Sequence, residues 1–87
     1  EDFTTITFNY DGNNAYASAY IFDLRGIAIK TLANNQLLSA QNFFTWDGCD
    51  DSGQILNVGY YILFVETFDL SGNKSVHKET VVLGSKL

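Results

Sequence analysis

The chain has almost no cysteine, few cations and no long apolar run, and each shortage excludes a class of protein. A single cysteine, Cys49, in 87 residues rules out an internal disulfide, so the fold has to rest on packing. Five Lys and Arg against ten Asp and Glu leave a net charge of −5. Those five cations are scattered, whereas phosphate backbones need them clustered, so no nucleic-acid partner is expected. No apolar stretch approaches the length that crosses a bilayer, and the opening residues carry no signal-peptide pattern. Membrane insertion is therefore not expected.

Catalytic patterns are also missing. There is no glycine-rich phosphate loop. The one histidine, His77, lies in a polar strand beside Lys78 and Glu79, with no Ser, Cys or Asp at nucleophile spacing, and is expected at the solvated surface. Asp50 and Asp51 are adjacent, so in extended chain their carboxylates diverge instead of pairing for acid–base work. Cys49 sits among acids, which disfavour the thiolate that a nucleophile needs. The expectation is a non-enzyme without a cofactor.

What is present is apolar and aromatic. The composition is 46% apolar and 15% aromatic, too hydrophobic for a disordered tail. One Trp, five Tyr and seven Phe can build a core in a chain this short. Apolar and polar residues alternate with the period of strands. Strands are expected at 3–10, 16–24, 27–33, 42–46, 59–69 and 74–83. Turns follow at "DGNN" (11–14) and at the polar "NNQ" loop (34–36). Only "IKTLANNQLL" hints at helical spacing, and two asparagines interrupt it. The pattern is an all-β chain, an antiparallel β-sandwich of six to seven strands, with one domain over 1–87. A start at Glu1 instead of Met suggests a fragment of a larger protein.

Two segments, "FDLRG" (22–26) and "FDLSG" (68–72), share one turn chemistry, and "DDSG" (50–53) repeats it. Asp at the first position caps backbone N–H groups, and Gly at the fourth accepts the left-handed conformation. The densest cluster is "FFTWDGCDDSGQILNVGYYILFVETFD" (43–69). Asp47, Asp50 and Asp51 could supply hard oxygen ligands to calcium, but the EF-hand spacing is absent. Turn formation explains the same residues with less.

Trp46 alternates with Phe44, so both are expected inside. The expected core is Trp46, Phe44, Tyr61, Leu63, Val65, Ile21, Ile29 and Ile6. Two strands, however, are apolar on both faces. Tyr60, Ile62 and Phe64 lie opposite Tyr61, Leu63 and Val65, while Tyr16, Tyr20 and Phe22 lie opposite Ala17, Ala19 and Ile21. An isolated sandwich wets one face of each sheet, so Tyr16, Tyr20, Tyr60 and Phe64 form a candidate exposed aromatic surface. It would serve a neighbouring domain, a protein partner or a sugar ring.

"IFDLRGIAIKTL" followed by "FFTWDGCDDSGQILNVGYYILFVE" resembles the FlgD-type Ig-like domain family. That family comprises the Ig-like domain of the flagellar hook-capping protein and relatives found as C-terminal repeats in secreted and surface proteins of Gram-negative bacteria. The resemblance covers residues 16 to 69. It rests on Ile21, Phe22, Asp23, Leu24, Gly26, Trp46, Asp47, Gly48, Asp50, Gly53, Leu56, Gly59 and Tyr61, with Ile29 and Leu32 at apolar positions after the first turn. Trp-Asp-Gly with a downstream Gly-Tyr-Tyr is also similar to the C-terminal domains of gliding-motility and type IX secretion proteins.

The resemblance implies an Ig-like or fibronectin-III-like sandwich whose signature residues are structural and which performs no catalysis. It also implies a secreted or cell-surface location in a Gram-negative bacterium, outer membrane or extracellular. The expected role is an accessory module that spaces or docks neighbouring domains of its own chain. The alternatives are a C-terminal sorting domain read by secretion machinery, and a carbohydrate-binding module that uses its aromatics on polysaccharide.

Overall fold

The computed structural model describes residues 4–10 and 14–84. The turn expected at 11–14 and the strand start at Phe3 therefore lie partly outside the described residues. Six strands form: β1 (Thr4–Asn9), β2 (Ala15–Phe22), β3 (Ala28–Leu37), β4 (Gln41–Trp46), β5 (Gly59–Asp69) and β6 (Lys74–Leu83). All pairings are antiparallel. One sheet is the pair β1-β4, and the other has the order β3-β2-β5-β6. Hairpins join β2 to β3 and β5 to β6, while the remaining connections pass between the sheets. This is a small antiparallel β-sandwich.

Alternation decides which side chains go inside. On β2, Ala15, Ala17, Ala19 and Ile21 are fully buried, and on β5 Tyr61, Leu63 and Val65 join them. Phe44 and Trp46 of β4 and Ile6 of β1 meet this row from the smaller sheet in one cluster. Small residues on β2 are thus matched by large ones on β4, as close packing requires. The expected core residues lie in this cluster except Ile29, which is half-buried and packs against it. Tyr61 adds a corner: its hydroxyl donates to the Asn57 carbonyl 2.6 Å away, and its ring meets Trp46 edge-on at 5.3 Å.

Polar side chains inside the sandwich are tied into its corners and strands. Asn42, buried on β4, donates to the carbonyls of Ser39 (2.7 Å) and Phe8 (3.2 Å) and accepts from the Ser39 N–H, tying the β3–β4 corner to β1. Thr67 and Ser75 share a 2.6 Å hydroxyl contact between β5 and β6. Among the described residues no buried side-chain N or O lacks a partner.

Two expectations need correction. The "NNQ" stretch is not a loop: β3 continues through Asn34, Asn35 and Gln36 to Leu37. The ladder with β2 absorbs the asparagines as bulges, with Asn35 at φ 54° and its N–H held by the Ser18 hydroxyl at 3.2 Å. β2 ends at Phe22, not at residue 24, because Asp23 already opens the turn. His77 is exposed, as expected, and lies opposite the buried Val65 on the inner row of β6. There it meets Phe8 edge-on at 5.5 Å and approaches the Glu79 carboxylate at 3.2 Å. The two-stranded sheet is too narrow to cover β6, which leaves this inner row partly wet.

Candidate functional site

Three aspartates build the same five-residue turn. Asp23, Asp50 and Asp69 each accept, through one carboxylate oxygen, the backbone N–H groups two and four residues ahead at 2.9–3.1 Å. Each Asp N–H donates to the carbonyl four residues on, and each Asp carbonyl accepts from the glycine N–H three residues on. Those glycines, Gly26, Gly53 and Gly72, sit at φ 88°, 90° and 88°, a region where L side chains are strained. The carboxyls are held below the usual carboxylate range. For Asp23 and Asp69 the leading cause is the backbone N–H of Ile27 and Asn73, and for Asp50 it is the Ser52 hydroxyl.

The calcium candidates are occupied in the same way. Asp47 accepts the Cys49 N–H at 3.0 Å, and Asp51 accepts the Thr31 N–H at 3.1 Å, pinning the β4–β5 loop to the free edge of β3. Asp50 and Asp51 line an open hollow of about 320 Å³ with Ala28, Ile29 and Ser52. Asp47, Asp50 and Asp51 do not converge there: among the described residues, no three His, Cys, Asp or Glu form a group that could hold a metal ion. Cys49 is buried, and its backbone pairs with Ile55 across the Asp50 turn. Trp46 and Gly48 likewise serve the fold, and Gly59, at φ 149°, opens β5. The Trp46 indole donates to the Cys49 carbonyl, and Gly48, at φ 80°, passes so near Leu83 that a Cβ would stand 3.0 Å from its Cδ1.

The sheets differ most on their outward faces. The smaller sheet shows Thr5, Thr7, Asn9, Gln41 and Thr45, with Phe43 as the one ring. The larger sheet shows Tyr16, Tyr20 and Phe22 of β2 beside Phe68, Phe64 and Ile62 of β5. Tyr16 stacks on Phe68 at 5.7 Å, while Phe64 meets Tyr20 at 6.4 Å and Phe22 at 5.5 Å. These rings half-cover one another. Tyr60 is 61% exposed, and Val76 and Val82 on the outer row of β6 are also exposed.

The sequence singled out Tyr16, Tyr20, Tyr60 and Phe64, and the structure places all four on this face. It adds Lys74, Val76, Lys78 and Val82 of β6, a strand whose first seven residues are polar except for Val76. Their even-numbered spacing opposite Phe68, Glu66, Phe64 and Tyr60 was the available signal. Comparison of the chain with family models, with curated proteins and with solved structures returns no match.

Proposed function

We propose that this chain is a non-catalytic accessory module of a secreted or cell-surface bacterial protein, and that it docks a neighbouring domain through the outer face of β3-β2-β5-β6. One observation carries the reading: six rings, Tyr16, Tyr20, Phe22, Tyr60, Phe64 and Phe68, share that face, while the outer face of β1-β4 is polar except for Phe43. A cluster of aromatic side chains on the outer face of a small domain marks an interaction surface. Tyrosine suits such a surface because its ring is apolar and its hydroxyl stays wet. The elongated outline, 44 × 24 × 21 Å, suits a unit that also spaces its neighbours. The bacterial surface setting rests on the resemblance carried by Trp46-Asp47-Gly48 and Gly59-Tyr60-Tyr61, which equally supports a sorting domain.

Replacing Tyr60 and Val82 by serine tests the docking reading. In the parent protein, calorimetry is expected to show this module unfolding together with its neighbour, and the double variant unfolding separately. Co-operative unfolding that survives both substitutions contradicts docking through this face. Redirection of a reporter to the cell surface by a C-terminal fusion, unaffected by the same substitutions, replaces docking by sorting.

A further inference from the structure

Cations are scarce in this chain, and two of the five share the aromatic face. Lys74 and Lys78 stand on the outer row of β6 opposite Phe68 and Phe64. Among the described residues neither has a carboxylate partner. The Lys78 ammonium lies 5.8 Å from the centre of the Phe64 ring, a cation–π contact that holds it over the sheet. Glu66 is the one acid on the facing row of β5, so the face is locally positive in a molecule of net charge −5.

Beside Lys78 a hollow of about 220 Å³ opens between Phe22, Gly26, Ile62, Phe64 and Lys78. Pockets for drug-sized ligands span roughly 300–1,000 Å³. This one therefore suits a single side chain and is too small for a cofactor. Its side-chain lining is apolar except for the ammonium. A sugar seated there would strip water from several hydroxyls and meet only one polar group in return. An apolar side chain loses no hydrogen bonds on entry, and a carboxylate next to it in sequence reaches the ammonium at the rim.

We propose that this hollow anchors the docking face by taking an apolar side chain from an acidic segment of the neighbouring domain, with a nearby carboxylate on Lys78. The proposal rests on the docking reading and names the chemistry of what docks.

Titration of the ¹⁵N-labelled chain with the peptide acetyl-Glu-Leu-Glu-Leu-Glu-amide tests it. Saturable shifts are expected at Phe22, Ile62, Phe64 and Lys78, and none with acetyl-Lys-Leu-Lys-Leu-Lys-amide. Lys78→Glu, at an exposed position, is expected to weaken the acidic peptide about tenfold or more and to admit the basic one. Shifts that persist unchanged in Lys78→Glu overturn the anchor and leave the docking reading standing. Shifts produced by polygalacturonate but not by the peptide overturn it in favour of an acidic glycan. Silence of all probes overturns the anchor as well, while the Tyr60 and Val82 double variant judges the docking face separately.

Discussion

The indole N–H of Trp46 donates to the carbonyl of Cys49, 3.0 Å away, and so fastens the end of β4 to the loop that leaves it. Trp46 is fully buried in the centre of the cluster. Trp46→Ala removes both the ring and this bond, and large-to-small changes of that kind cost about 3–5 kcal/mol. Urea denaturation is expected to report a loss in that range. A loss below about 1 kcal/mol would contradict the central placement of the ring.

Asp23, Asp50 and Asp69 make stability depend on acid. Each carboxyl is held below the ordinary carboxylate range in the folded state, so the folded protein binds fewer protons than the unfolded chain as pH falls. Their contribution is present above the unfolded pKa and is lost as pH drops through the folded values. The urea midpoint is expected to hold level down to about pH 5 and to decline below about pH 4. Asp→Asn at all three positions keeps an oxygen acceptor without the charge and should flatten that decline. An equally steep decline in the triple variant would assign the acid sensitivity elsewhere.

Gly48 and Gly53 separate two costs of a side chain. Both have positive φ, but a Cβ on Gly53 meets nothing within 4 Å, whereas one on Gly48 stands 3.0 Å from Leu83 Cδ1. Gly53→Ala is expected to cost about 1–2 kcal/mol from backbone strain alone. Gly48→Ala should cost more, by the displacement of Leu83. Equal losses in thermal unfolding would show that Leu83 yields freely.

The two sides of the large sheet should respond oppositely to substitution. Val76→Thr and Val82→Thr, on the exposed outer row, are expected to change stability by no more than about 0.5 kcal/mol. Ala19→Leu, on the fully buried inner row, is expected to cost about 1–3 kcal/mol by overpacking. A tolerated Ala19→Leu, measured by chemical denaturation, would mean that the sheets sit further apart than described.

What could be read in the sequence was local. The Asp-x-x-Gly turns announce themselves because all their hydrogen bonds fall within five residues. The bounds of β5 and β6 follow from the turn between them. The course of β3 past Asn34 was hidden, because polar residues usually signal a loop and only the pairing with β2 makes a bulged strand of them. The exposure of His77 was legible from its neighbours Lys78 and Glu79, but its place opposite Val65 was not, since only the ladder sets it. The aromatic surplus was visible as two strands apolar on both faces. The lysines that give that face its sign were not, since only the ladder places Lys78 opposite Phe64 and Lys74 opposite Phe68.

Hydroxyl-radical footprinting tests the docking face most directly, because it reads ring exposure at single residues. Tyr60 and Phe43 are similarly exposed, 61% and 55%, on the outer faces of the two different sheets. In the parent protein, Tyr60 is expected to be modified several times more slowly than in the isolated chain, while Phe43 is modified at the same rate in both. Equal modification of Tyr60 in the two settings would contradict docking through the aromatic face.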